Sequence, residues 1–321
     1  MYFGANGVLL ADAPPEKGDD AADALAYDPR VGECTGMHGG GPFNVNWVMP
    51  LDQRPDEAQC LDYTSAPLEE DTEVLGRPRV VIHFRPGAGV SLFAVKLCDV
   101  APDGTSALVT KGFLNVAHCD SSTDPSPVKP GELCEVEVEL LVCAYRFQKG
   151  HCVRVDVAAA DLLNVWPTPE PHTTQVIRSA DRASHVVLPL AGPQDPPLPE
   201  PAIELSTEPM PRREDLAPQE FRVTRDRIED TAAVHWRVVY SPRWVSRASY
   251  TVSARDPARA EVRARASRGV TRDGKNITVR SECVTASDAD TFRHDVAVRI
   301  TVDGRPRFEK DWSVTVPRRC M

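Results

Sequence analysis

Apolar and polar residues alternate along short runs of the chain, which is the pattern of a half-buried β-strand. Residues 134–140 read Cys-Glu-Val-Glu-Val-Glu-Leu, with one apolar and one polar face. Similar apolar runs lie at residues 79–84, 91–97, 152–157 and 185–190. Turn signals such as Asp103-Gly104 separate these runs, and no strong helical period lies between them. The pattern predicts an all-β sandwich of the jelly-roll type over residues 51–192.

The last third of the chain has the same alternation in longer runs. Alternating runs lie at residues 233–240, 260–266 and 276–280, and a closing strand is expected at 312–317. Asp273-Gly274 and Asp303-Gly304 fall where hairpin turns belong, because glycine accepts the positive φ that such turns need. We therefore expect a smaller antiparallel β domain over residues 202–321, as a meander that forms either a curved sheet or a partial barrel.

Two segments lack this alternation. Residues 1–50 are rich in Gly, Pro and Asp and predict an irregular lead-in, which needs another surface to become ordered. We expect it to be less ordered than the rest in the isolated chain. Residues 193–201 are rich in proline and predict a stiff linker.

Charge narrows the choice of partners. The chain has 321 residues and a formal net charge of −10, enough length for two domains that each bury a core. Residues 1–200 are acidic, which argues against a nucleic-acid partner. Residues 201–321 are basic, but their charges alternate with apolar residues, which is typical of a solvated sheet face.

Nothing in the sequence indicates a membrane, secretion or metal-binding protein. The longest apolar runs fall short of the roughly 18 residues of a membrane span, and the first residues lack a basic region followed by an apolar one. The nine cysteines are odd in number and form no CxxC pair. We expect a cytoplasmic protein with no metal and no cofactor, whose strand cysteines act as small apolar residues.

Several segments, in order, resemble one enzyme family. They are Pro50–Arg54, Pro67–Gly76, Val95–Gly104, Gly112–His118, Tyr145–His151 and Val165–Pro171. They are similar to the C-terminal part of cocaine-esterase-type (CocE/NonD) serine hydrolases, which contains the X-Pro dipeptidyl-peptidase C-terminal domain. The resemblance implies a galactose-binding-like jelly roll that packs on a catalytic α/β-hydrolase domain and caps it. It also implies a system that hydrolyses esters or amides, including dipeptidyl-peptidase-like activity, and a homo-oligomer as a candidate assembly.

The family's chemistry depends on a serine in a G-x-S-x-G elbow, with an Asp and a His. The nearest segment here, Gly89-Val90-Ser91-Leu92-Phe93, lacks the second glycine, and its surroundings predict a strand. No catalytic residue can therefore be assigned. We expect the chain to be inactive alone and its partner to be a hydrolase domain or chain supplied elsewhere.

Two residues are candidates for a contact surface. Trp166 lies in an aromatic and proline-rich loop of the kind that binds partners at the end of a sandwich, although it could equally cover its own core. His118 has Cys119 and Asp120 beside it, but neighbours on a strand point to opposite faces and cannot form a dyad. His38, in a Gly-rich run, is similar to oxyanion-loop sequences but has no nucleophile to serve.

Two alternatives stay open beside the capping module. The chain could be a stand-alone ligand- or carbohydrate-binding β-sandwich, which predicts aromatic residues gathered on one sheet face. It could also be a structural or oligomerising remnant.

Overall fold

The computed structural model describes residues 1–18, 21–36, 51–192, 220–241 and 243–321. They form two β regions, a sandwich up to residue 192 and an antiparallel sheet from residue 220. The all-β prediction is confirmed. The predicted linker at residues 193–201 lies outside the described residues.

Among the described residues, fourteen strands, one α-helical turn and two short 3₁₀ turns build the sandwich. The strands are β1 (Tyr2–Gly4), β2 (Val8–Leu10), β3 (Ala22–Ala26), β4 (Leu61–Thr64), β5 (Thr72–Gly76), β6 (Arg79–Arg85), β7 (Leu92–Val100), β8 (Ser106–Asn115), β9 (Cys134–Glu139), β10 (Cys143–Phe147), β11 (Cys152–Ala158), β12 (Thr173–Ser179), β13 (Arg182–Ala183) and β14 (His185–Val187). The helical turn α1 spans Arg54–Glu57. The main hydrogen-bonded order is β13-β12-β6-β14-β1-β2-β4-β11-β7-β8, with β3 on β12 and β9 on β6, while β5 and β10 pair separately.

The core lies between the strands around β6 and those around β7. Alternate residues of each strand point inward, as the sequence pattern predicts. Phe84 of β6 meets Phe93 of β7 edge to face, with ring centroids 4.9 Å apart, and both side chains are fully buried. Aliphatic side chains of β9 and β11 complete this core.

The start of the chain differs from the irregular lead-in predicted for residues 1–50. Strands β1, β2 and β3 belong to the sandwich, and Phe3 is fully buried with its ring stacked on Tyr63 at 4.0 Å. These strands have three to five residues, too few to show a period, and β3 pairs with β12, more than a hundred residues away. Local sequence could not reveal strands that depend on such distant partners. Residues 37–50, including His38, lie outside the described residues.

The second region is a meander of seven strands. They are β15 (Glu220–Asp226), β16 (Thr231–Ser241), β17 (Trp244–Ser253), β18 (Glu261–Arg272), β19 (Lys275–Ser287), β20 (Thr291–Val302) and β21 (Arg305–Pro317). They lie in sequence order, with β15 and β21 at the two edges, so the described sheet is open rather than a closed barrel. Asp273-Gly274 and Asp303-Gly304 have positive φ throughout and form the β18–β19 and β20–β21 turns, as predicted.

The two faces of this sheet differ in polarity. Cross-strand partners share a face, and one complete row reads Phe221, Trp236, Ala248, Ala264, Cys283, Val296 and Trp312. The rows on the opposite face carry most of the arginines and carboxylates. Among the described residues, the sandwich packs on one end of the apolar face, around Tyr250 and Val252.

Candidate functional site

Strand β7 is buried on both faces, although the sequence places Lys96 in it. One face points into the core. The other lies beneath a cover made of residues 28–36 and 51–60, in which Val31 packs against Ala94 and Ala158. The space between this face and its cover holds a layer of charged side chains. Charged side chains are rarely buried, so we describe this layer of the described residues as the candidate site.

The first cluster in this layer centres on Lys96, whose side chain is 3% exposed. Its Nζ lies 3.4 Å from Oδ2 of the fully buried Asp156 and donates to Oε1 of Gln53 at 3.2 Å. The thiol of Cys98 donates to Asp156 Oδ2 at 3.4 Å. Burial raises the pKa of Asp156 to about 6. Burial alone would lower the pKa of Lys96, but the attraction of Asp156 and other nearby groups raises it, so the ammonium persists.

Glu57 of α1 completes this cluster from the cover. It accepts hydrogen bonds from Ser106 and from Arg154, whose Nη1 is 2.5 Å from Oε2. Ligand atoms of Glu57, Cys98 and Asp156 lie within 4.8 Å of one another, a spacing that could suit a metal ion. The charges are already balanced by Lys96 and Arg154, however, so the donor set fits an internal ion-pair network better than a metal centre.

A second cluster holds the end of the cover. Lys111 of β8 donates from Nζ to the backbone oxygens of Thr35 and Gly36 at 2.9 and 2.6 Å. The buried carboxylate of Asp161 lies 4.0 Å from the same ammonium and accepts from Asn164 Nδ2 at 2.7 Å. Burial raises the pKa of Asp161 to about 6 and lowers the pKa of Lys111.

The cover contributes its own buried polar groups. The Asp56 carboxylate accepts three backbone N–H groups, from Gly32, Glu33 and Cys34, at 2.8 to 3.2 Å. Gln53 Nε2 donates to the carbonyls of Cys34 and Leu51, which joins the two parts of the cover. The Lys96–Gln53, Arg154–Glu57 and Lys111–Thr35 contacts cross the gap and fasten the cover to the sheet.

The stability of this layer should depend on pH. A folded-state pKa near 6 for Asp161, above the ordinary 3.8, means that the native state binds more protons between about pH 4 and 6. Its stabilising contribution is full below 3.8 and is lost as the pH rises through 6. We expect the difference in unfolding free energy between Asp161→Asn and the wild type to shift in favour of the variant as the pH rises from 4 to 7, by up to about 3 kcal/mol, whatever its value at pH 4. Urea unfolding at several pH values measures this, and the exposed Asp120→Asn serves as the control. Parallel pH profiles for wild type and Asp161→Asn would contradict the assignment.

His118 does not lie on a strand, which corrects the geometry assumed from the sequence. It ends a short 3₁₀ turn, Val116–His118, which is capped by the Asn115 side chain. The side chain is partly exposed, and Cys119 beside it is exposed with its pKa raised, chiefly by burial. A raised thiol pKa disfavours the thiolate that a cysteine nucleophile needs. The structure brings no second catalytic group to this turn among the described residues.

Trp166 forms a contact within the chain. Its indole N–H donates to Ser287 Oγ at 2.9 Å, and its ring packs near Tyr250 and Phe292 at 5.5 and 5.4 Å. Trp166 thus joins the sandwich to the C-terminal sheet. The same junction holds Arg318, whose guanidinium lies 5.3 Å from the Phe292 ring centroid and bonds to backbone oxygens of both regions.

Other polar residues of the sandwich also have structural partners. Asp99 accepts from Tyr145 and pairs with His151 Nδ1, each at 2.8 Å. Ser91, of the incomplete elbow, is 1% exposed and donates to the carbonyl of Ala88. Burial also raises the pKa of the Cys98 thiol well above its usual range, and all nine cysteines are free. Among the described residues, no helix has the length and hydrophobicity to cross a bilayer.

Sequence reasoning missed the buried layer. Its one local signal was Lys96, a single lysine inside a long apolar strand, since such a residue needs a buried partner. The partners come from four separate segments, so only the fold brings them together.

The fold is that of a β-sandwich module with an added sheet, and its buried charged groups are paired with one another. A comparison with protein families identifies the module. The X-Pro dipeptidyl-peptidase C-terminal non-catalytic domain matches residues 1–194, and the chain belongs to that family. The matched region includes the strands of the lead-in.

Relatives of the chain are longer hydrolases. A putative serine esterase of Mycobacterium bovis is 32% identical over 212 residues, which cover 60% of this chain and 33% of the relative. The cocaine esterase of a Rhodococcus species is 28% identical over 146 residues, covering 45% of this chain and 25% of that enzyme. The chain thus spans about a third or less of the curated relatives it matches.

Solved structures support the fold. An α-amino acid ester hydrolase matches with a TM-score of 0.51 and 23% identity, over 59% of this chain and 36% of the other. An aminopeptidase from a marine-sediment thaumarchaeon matches with a TM-score of 0.52 and 20% identity, over 60% and 36%. At these identities the likeness concerns the fold alone.

Proposed function

We propose that the chain is a non-catalytic module of a CocE/NonD-type hydrolase, which packs on a catalytic α/β-hydrolase domain and caps it. The observation that carries this proposal is the family match over residues 1–194, to a domain described as non-catalytic. The complete hydrolase would cleave esters or amides, with dipeptidyl-peptidase-like activity. The sandwich of this chain would be of the galactose-binding-like type. The protein would act in the cytoplasm.

The fastened cover supports this role. A module that shapes the entrance of another domain must hold its surface loops rigidly, since a small displacement there misplaces the substrate. Lys111 and Gln53 hold the cover through its backbone carbonyls. Trp166 is engaged within the chain, so we place the contact surface for the hydrolase domain around His118.

The first test is labelling of the purified chain with a fluorophosphonate probe, together with p-nitrophenyl acetate turnover. We expect neither label nor turnover above buffer. Stoichiometric labelling of one serine, with turnover lost when that serine becomes alanine, would show that the chain itself is catalytic.

The second test concerns the contact surface. The immobilised chain is incubated with an extract of its source organism, and retained serine hydrolases are detected with the same probe. We expect His118→Glu to reduce the retained label about tenfold, as for a contact hot spot. The matched control is His235→Glu, on the polar face of the C-terminal sheet. Equal retention by both variants would exclude the His118 surface.

A further inference from the structure

A groove crosses the charged face of the C-terminal sheet over strands β15 to β19. Its volume is about 1030 Å³, at the upper end of the range for small-molecule sites. Two complete cross-strand rows of side chains form its walls, and the backbone of the row between them forms its floor. The first wall is Glu220, Arg237, Arg247, Arg265 and Glu282, and the second is Arg222, His235, Ser249, Arg263 and Val284. The groove thus has five arginines around one space, against two glutamates.

Three arginines of the first wall lie directly opposite one another. Arg237 is the cross-strand partner of Arg247, and Arg247 is the partner of Arg265. Neighbouring strands are about 4.8 Å apart, so the three positions lie within about 10 Å. Like charges in directly opposite positions destabilise a strand pair. A row that breaks this rule is typical of a binding site, where stability gives way to function.

The charge of this row is only partly neutralised within the chain. Arg237 pairs with Glu220 at 3.0 Å, and Arg265 pairs with Glu282 at 3.4 Å. The two glutamate side chains are 67% and 59% exposed, and ion pairs at such exposed positions contribute little to stability. Arg247, between them, makes no hydrogen bond or ion pair with the described residues. The centre of the wall therefore carries an uncompensated positive charge.

The second wall adds positive charge from the other side of the groove. Arg222 is also without a hydrogen-bond or ion-pair partner in the described part of the chain, whereas Arg263 is bonded to Glu261 at 2.7 Å. A guanidinium binds a phosphate or a carboxylate through two parallel N–H bonds, which are about twice as strong as neutral hydrogen bonds. An anion in the groove would be bound from both walls and would reduce the repulsion along the first.

The length of the basic region limits the size of a ligand. On the described strands β19 to β21, the two rows carry no arginine and contain Glu282, Asp295 and Asp311. These carboxylates would repel a long polyanion such as a nucleic acid. Favourable positions for negative charge extend over three to four strands, or about 10 to 14 Å. The groove therefore suits a compact anion.

We propose that this arginine groove is a binding site for a compact ligand that carries two or more phosphate or carboxylate groups. Arg247 is the central contact, because it has no partner to give up. Arg237 and Arg265 exchange their exposed glutamate partners for the ligand. The proposal does not depend on the proposed function, because this sheet lies beyond the family match that ends at residue 194.

Isothermal titration calorimetry of the full chain at pH 8 in 0.1 M salt tests the site with two probes. Inorganic tripolyphosphate represents a phosphate ligand, and citrate represents a carboxylate ligand. We expect saturable binding of at least one probe at one site per chain, with a dissociation constant in the micromolar range. The probe that binds more tightly identifies which of the two groups the site prefers.

Arg247→Gln should weaken the binding at least about tenfold, because it removes a charge-assisted contact. The matched control is Arg272→Gln, which removes the same charge at the end of β18, where the side chain is 81% exposed. Arg272 follows Arg265 by seven residues along the strand, which is about 23 Å. That distance exceeds the screening length of about 10 Å, so the control should change the dissociation constant less than about twofold.

Urea unfolding of the same variants separates a binding role from a structural one. Because Arg247 lies opposite two other arginines, Arg247→Gln should leave the free energy of unfolding unchanged or raise it slightly. Weaker binding with unimpaired stability supports the site. Three results would overturn it. They are the failure of both probes to bind, equal weakening by Arg247→Gln and Arg272→Gln, and a marked loss of stability in Arg247→Gln.

Discussion

Lys96→Met should destabilise the folded chain by about 3–5 kcal/mol at pH 7, the usual cost of removing one member of a buried ion pair. The ammonium is enclosed, and it neutralises Asp156, whose side chain is 0% exposed. Methionine keeps most of the volume, so lost packing contributes little. The remaining loss comes from leaving a carboxylate inside the protein without a positive partner.

Urea unfolding of the full chain measures this loss, and two further variants isolate its cause. The double variant Lys96→Met/Asp156→Leu should recover much of the stability, because it removes both charges instead of one. Lys129→Met is the matched control, since Lys129 is 84% exposed where it pairs with Glu132, and should change stability by less than about 0.5 kcal/mol. If Lys96→Met lowers the free energy of unfolding only slightly, or if the double variant recovers none of it, the two residues do not form a stabilising buried pair.

The second large effect is expected for Trp166→Ala. Its ring contacts Tyr250 and Phe292 in the C-terminal sheet, and its N–H is bonded to Ser287. Truncation of a tryptophan in such a contact costs about 3 kcal/mol or more. Because the loss falls at the junction, we expect the sheet to loosen before the sandwich unfolds.

Hydrogen exchange followed by mass spectrometry resolves the two regions. Protection should fall in the ends of β16, β17 and β19 nearest the junction, whereas β6 and β7 in the sandwich core keep theirs. Ile228→Ala, at a residue 77% exposed in a turn of the same sheet, is the control and should leave exchange unchanged. Uniform loss of protection across both regions would indicate a single cooperative unit.

The sequence around Trp166 predicted that its loop makes a contact, but not which surface the loop contacts. The aromatic and proline-rich run indicated a contact, but the partner turned out to be the chain's own C-terminal sheet. The contacting residues Tyr250, Ser287 and Phe292 are distant from the loop in sequence, with Ser287 121 positions away, so local sequence could not indicate them. The sequence alone therefore left an external partner and an internal core equally open.

The sequence by itself determined the β character of this protein. Alternation in residues 134–140, and the Asp-Gly pairs at 273–274 and 303–304, act between neighbouring residues and needed no knowledge of the fold. The absence of a G-x-S-x-G elbow and the ordered family segments were likewise visible. Tertiary structure decided the rest. Strands β1 to β3, the pairing of Lys96 with Asp156, and the exposed edge of β21 depend on partners distant in sequence, and only the folded chain sets which charges are buried and which edges stay open.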